Sequence, residues 1–114
     1  MPTATDTNRA VLESLLVGGF KSPDVEYEAR AEDFVAEMPQ SGDRIEGRDA
    51  LRRLQVDLGG PPEMELRRLT GEGDLWVAET TQRYADGSEY FVCVVVEFAD
   101  GKIQRETRYY GPPM

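Results

Sequence analysis

The sequence predicts one α+β domain, in which a long antiparallel sheet curls around helices confined to the N-terminal half. Three observations carry that expectation. Residues 88–110, SEYFVCVVVEFADGKIQRETRYY, read as two long strands joined by a tight turn. Two further strand-like runs, 63–70 and 75–84, precede them, and the connections GEGD, ADG and ADG each hold the glycine that a hairpin needs. Helical periodicity is confined to the residues before 60, and helices gathered ahead of a run of strands are the mark of an α+β domain.

In chain order, residues 1–6 lack periodicity and are expected to form a loose tail. A helix capped at Thr7 or Asn8 follows, with Val11, Leu15 and Gly18 on one face, Leu12 and Leu16 beside it, and Gly18 and Gly19 as its stop. Pro23 suits a first helical turn, and the acidic start of PDVEYEARA favours a second short helix over 23–31 with a small buried face of Val25, Tyr27 and Ala29. Residues 33–39 form a first strand ended by Pro39, with Phe34, Ala36 and Met38 on one side and Asp33, Val35 and Glu37 on the other. A turn and short hairpin arm at QSGDRIEG lead to a third helix over 48–58, whose core stripe is Leu51, Leu54 and Leu58 and whose end is Gly59-Gly60-Pro61-Pro62. From 90 to 96 every residue is apolar, which marks an interior strand covered on both faces. The strand after it alternates, and one of its faces carries Glu106, Arg108 and Tyr110.

Composition narrows the function. A chain of 114 residues makes a single domain, spanning 1–114. Thirteen Lys and Arg against 22 Asp and Glu give a net charge of -9, a field that repels polyanions, so no nucleic-acid partner is expected. With no histidine, Ser-His-Asp and Cys-His chemistry is excluded. No carboxylates have metal-ligand spacing, and no cofactor is expected. The apolar stretch 15–20 is too short to span a membrane, and Cys93 reads as a packed thiol, so a soluble, cytoplasmic protein without a membrane partner is expected.

The block EMPQSGDRIEGRDAL, the hairpin FADGKIQRETRYY and the order of elements between them resemble the NTF2-like superfamily, in particular its SnoaL-like branch, over residues 8–110. The resemblance implies a cone, a cystatin-like roll in which a bent sheet and three helices enclose a cavity, often dimerised through the outer sheet face. Ketosteroid isomerases, limonene epoxide hydrolases, polyketide cyclases, transport adaptors and plain binding domains share that fold, so it does not fix function. The isomerase base and its two oxyanion donors fall on Met38, Leu15 and Val94, none of which can do that work. The epoxide hydrolase Asp-Arg-Asp set falls on Thr80, Gln82 and Arg108 and is missing. A cyclase needs an acid near the end of the sheet, a need that Glu106 meets.

The resemblance also implies which strand faces look inward: Gln104, Glu106, Arg108 and Tyr110; Trp76, Ala78, Thr80, Gln82 and Tyr84; Tyr90, Val92, Val94 and Val96. With Leu15, Phe34 and Met38 these make an apolar and aromatic cavity for a small hydrophobic or polyketide-like molecule. Glu106 and Arg108, two apart on one strand and about 7 Å apart at the backbone, are the candidate catalytic pair. They serve either as proton acceptor and anion binder or as a structural ion pair with Gln82 satisfying leftover bonds. Gln40 and Arg44 overhang the mouth or are solvated. Trp76, Tyr84 and Tyr90 pack in the core or stack on ligand. Asp33, Glu37, Glu79, Arg83 and Glu97 point outward, Glu13, Glu26, Glu28 and Glu32 read as a solvated helical surface, and Arg48 and Asp49 as structural. Three functions stay open: a small-molecule-binding domain, a SnoaL-type cyclase or isomerase-like enzyme using Glu106 with Arg108, and a non-catalytic dimeric module. The outward Phe91, Cys93 and Val95 need a cover, which predicts a homodimer.

Overall fold

The computed structural model describes residues 3–16, 23–59 and 62–113. Three helices, α1 (Ala4–Leu16), α2 (Pro23–Glu28) and α3 (Arg48–Asp57), accompany six strands: β1 (Arg30–Met38), β2 (Asp43–Glu46), β3 (Glu63–Glu72), β4 (Leu75–Arg83), β5 (Glu89–Ala99) and β6 (Lys102–Pro113). The sheet order is β2-β1-β6-β5-β4-β3. Strands β3 to β6 form the expected meander, and β5 lies in the interior of the sheet. The β1–β6 pair is parallel, and every other neighbour is antiparallel. Register shifts interrupt β1–β6, β3–β4 and β5–β6, and such bulges bend strands and curve a sheet.

Helix α1 begins at Ala4, so residues 4–6 belong to the helix and not to a loose tail. The cause is a reciprocal cap. The Asp6 amide donates to Thr3 Oγ1 at 3.1 Å, while the Thr3 amide donates to the Asp6 carboxylate at 3.3 Å. Leu12, Leu15 and Leu16 are buried as expected, and so is Asn8. Its amide donates to the Gly73 carbonyl and to Asp74 at 2.8 and 3.1 Å, which pins α1 to the β3–β4 turn. The expected stop at Gly18 and Gly19 lies outside the described residues, as do Gly60 and Pro61.

Helix α2 ends at Glu28, three residues before its expected end, and β1 starts at Arg30. Of the expected α2 face, Tyr27 is half-buried and Ala29 packs against the core, but Val25 is exposed and Glu26 is buried in its place, at 2% exposure. On α3 only Leu51 of the expected stripe is buried, together with Gln55, while Leu54 and Leu58 are exposed. A ring clasp joins α2 to α3. The guanidinium groups of Arg48 and Arg52 lie over the Tyr27 ring, 4.1 and 4.8 Å from its centroid, and the Tyr27 phenol donates to Asp49 at 2.6 Å.

The β5–β6 turn is a two-residue loop in which Asp100 and Gly101 both have positive φ, 51° and 79°, as a type I′ hairpin requires. It sets Phe98 opposite Ile103, both buried. The next pair is Glu97 with Arg105, so Gln104 is the extra residue of a bulge. This corrects the inward reading of Gln104, whose amide donates to the Asp33 carboxylate on the other face. The core lies between the concave sheet face and the helices and includes Leu12, Leu15, Phe34, Leu51, Trp76, Val92 and Ile103. No helix among the described residues is long and apolar enough to cross a membrane.

Candidate functional site

A pocket of about 120 Å³ opens between α1, α2, α3 and the concave faces of β1, β4, β5 and β6. Leu15, Met38, Ala78, Val94 and Ile103 supply apolar wall, and Leu54 and Leu58 of α3 also border the space. Its polar lining comes from Glu26, Arg30, Gln55, Gln82, Tyr84, Glu106, Arg108 and Tyr110.

Four of those residues form a chain of buried charges. Arg108 donates through Nε and Nη2 to Glu106 Oε1 at 2.9 and 2.7 Å. The other carboxylate oxygen, Oε2, receives Arg30 Nε and Nη2, both at 2.9 Å. Arg30 Nη1 donates to the Glu26 carbonyl at 2.9 Å and to its carboxylate at 3.3 Å, and Gln55 donates to the same carboxylate at 3.3 Å. Two guanidinium groups balance two carboxylates, which is the condition for burying charge without a large penalty. Burial pushes the Glu106 carboxyl upward, but Arg30 and Arg108 together outweigh it and hold the group below the usual carboxylate range. Burial likewise opposes the charged form of Arg108, and Glu106 and Tyr110 reverse the effect and raise it.

Beside Arg108 stands a tyrosine group. Tyr90 meets Tyr84 and Tyr110 edge to face, with centroids 6.0 and 6.1 Å apart. Burial, reinforced by Tyr110, pushes the Tyr84 phenol well above its ordinary value. Tyr84 donates to Gln82 Oε1, the Gln82 amide donates to Thr80 Oγ1, and Thr80 donates to the Val92 carbonyl, at 3.2, 3.2 and 2.9 Å. Tyr84, Tyr90 and Tyr110 also line an open depression that shares Leu58 with the inner pocket.

Comparison with known proteins places this architecture. Residues 22–106 match the SnoaL-like domain. The chain belongs to the SnoaL-like family of the NTF2-like superfamily. An NTF2-like protein of unknown function from Burkholderia xenovorans is 32% identical, with a TM-score of 0.79 over 95% of this chain and 85% of that one. A putative ketosteroid isomerase from Kribbella flavida (24% identity, TM-score 0.82, 96% and 81% covered) shares the fold. So does an epoxide hydrolase of M. tuberculosis (23%, 0.80, 96% and 86%). Among curated proteins none matches the chain.

In this SnoaL-like chain the positions that the resemblance assigns to isomerase chemistry, Leu15, Met38 and Val94, all lie on the pocket wall. Of the other cavity candidates, Gln82, Tyr84 and Tyr110 join the same wall. Phe34, Trp76, Thr80 and Val92 instead are core: Phe34 packs under Arg30, and the Trp76 indole donates to the Gly73 carbonyl at 2.9 Å. Tyr90 faces the outer depression. Two expectations are corrected. Gln82 bonds Thr80 and Tyr84 in place of the Glu106–Arg108 pair, and Glu26 is a second carboxylate in the cluster and not part of a solvated surface. Arg30 and Gln55 were missed altogether. Outside the pocket, Glu37 pairs with Arg105 and Arg44, Glu79 with Arg68, and Arg83 with Glu89. Gln40 accepts from the Tyr110 amide.

Proposed function

We propose that the protein is a small-molecule-binding SnoaL-like domain whose pocket receives a small, mostly apolar molecule, with Glu106 anchoring the pocket wall instead of transferring protons. The observation that carries this reading is the pair of guanidinium groups on Glu106. A general acid working near neutral pH needs its carboxyl raised towards about 6–7, and Glu106 is moved the other way. As a base it is weakened by the same two cations. The apolar residues at the isomerase positions support the reading too.

Size limits the occupant. A cavity of about 120 Å³ is close to the ~150 Å³ apolar cavity that holds benzene and well under the roughly 300–1,000 Å³ of drug-sized sites. A polyketide-like molecule of several rings would leave most of itself in the tyrosine-lined depression. Native mass spectrometry of the purified protein tests for a retained molecule, and thermal shifts with toluene, indole and cyclohexanone test the empty pocket. The expected result is a rise in Tm that increases with probe concentration. No retained molecule and no shift with any of the three would refute the reading.

We also propose a homodimer joined through the outer sheet face. Phe91 and Tyr109 are 43% and 44% exposed there, next to half-buried Cys93 and Val95. Their exposure on strands otherwise covered supports a partner copy. Light scattering at micromolar concentration should return twice the chain mass, and the mass of one chain would sink the proposal. A reducing, cytoplasmic location is in keeping with the free thiol of Cys93.

A further inference from the structure

The charge balance of the pocket bears on what it can hold. Arg30 is committed on both sides, with Nε and Nη2 on Glu106 and Nη1 on Glu26. Arg108 gives Nε and Nη2 to Glu106, and its other partner is the neutral Tyr110 phenol, so no second carboxylate occupies it. Its side chain keeps 16% of its surface open and lines the pocket.

From this arrangement we infer that the pocket selects a neutral ligand with a carbonyl-type acceptor (a ketone, amide or lactone) held by Arg108 beside Tyr84 and Tyr110, and discriminates against carboxylates of the same shape. The inference rests on the reading of the pocket as a ligand site and adds the chemistry of the occupant. An isolated arginine at the end of an apolar pocket would favour an anion. Here Glu106 already neutralises Arg108, and Glu26 does the same for Arg30, so a carboxylate ligand would be a third anion facing two cations. Its excess charge would be buried beside leucine, valine and methionine side chains, and a hydrogen bond from a guanidinium already neutralised by Glu106 would not offset the lost hydration. The Tyr84 phenol stays protonated at neutral pH and contributes no charge of either sign. A carbonyl oxygen leaves the balance untouched while still receiving a charge-assisted hydrogen bond. The volume next to Arg108 fits one six-membered ring or its equivalent.

The test uses three probes of similar size and the intact protein: toluene, benzamide and benzoate, titrated at pH 7 by calorimetry or by amide chemical shifts. Benzamide should bind at least tenfold more tightly than benzoate and more tightly than toluene. Arg108→Met should bring benzamide to the affinity of toluene, and the wild-type comparison decides the matter if that variant does not fold. The preference should persist in 0.5 M salt, because it arises inside the pocket and not from the net charge of the chain. Benzoate binding as tightly as benzamide, benzamide binding no better than toluene, or a preference lost in salt would each overturn the inference and leave the pocket reading standing. If none of the three binds, both fall.

Discussion

Replacing Arg30 with methionine is the sharpest test of the charge chain. Arg30, Glu26 and Glu106 have side chains 6%, 2% and 5% exposed, so none can turn to water without the pocket wall opening. The substitution keeps an unbranched apolar stem and removes the contacts to Glu106 at 2.9 Å and to Glu26 at 3.3 Å. Removing one partner of a buried pair costs about 3–5 kcal/mol. Glu106 retains Arg108 and Glu26 retains Gln55, which keeps the expected loss within that range although two carboxylates are affected. For a domain of this size the loss corresponds to a fall in Tm of roughly 12–20 °C. Urea unfolding with an unchanged m-value is the assay. Adding Glu26→Gln to Arg30→Met should recover part of the loss by removing one stranded charge. The pH dependence has a definite sign. Glu106 is depressed when folded, so its contribution is present above the unfolded value of about 4.3 and is lost as pH falls through the folded one. Without Arg30 the depression shrinks, and the stability gap between wild type and variant narrows on acidification from pH 6 to pH 3. A loss below about 1 kcal/mol, the worth of a surface pair, would refute the reasoning.

Three further outcomes follow from particular contacts. The Glu106 carboxyl, followed by NMR in the intact protein, should titrate below the ordinary glutamate value of about 4.3, and a midpoint at 5 or above would restore the general-acid reading. Gly71→Ala should cost about 1–3 kcal/mol or more, because the added Cβ would sit 2.4 Å from the Leu75 carbonyl oxygen and 2.7 Å from Trp76 Cα, backbone atoms that cannot swing away. Gly73→Ala, in open space but at φ 59°, should cost less in the same urea assay, and the reverse order would contradict the packing argument. Thr3→Ala removes one half of the α1 cap and should cost about 1 kcal/mol, and an unchanged midpoint would show that the cap does not hold the first turn.

The sheet was legible because its signals are local. Glycine-bearing turns separate the strands, and the unbroken apolar run of 90–96 marks an interior strand, which β5 is. Inward parity survived on β4 and β5, where pairing runs without a shift from Leu75 to Arg83. It failed on β6 at Gln104 for a reason that was also within reach. The two-residue turn Asp100-Gly101 forces Phe98 opposite Ile103, both apolar, and Glu106 must face inward opposite Val96. Two inward residues three positions apart cannot share one unbroken parity, so a bulge has to lie between them.

The site was half legible, and the missing half changes its chemistry. Glu106 and Arg108 declare themselves by i,i+2 spacing, and taken alone they look like a carboxylate free to accept a proton beside an anion binder. Arg30 and Glu26 are silent in sequence because their burial depends on where α2 stops. Had the helix run to residue 31, Arg30 would have sat on it, whereas in β1 it lies against Phe34 and points its guanidinium at Glu106. That second guanidinium takes up the other carboxylate oxygen. A proton reaching Glu106 must therefore displace contacts to one of its two guanidinium groups, and the group's proton affinity falls although burial by itself would raise it. The ending of a six-residue helix thus decides whether the carboxylate on the neighbouring strand faces one guanidinium or two.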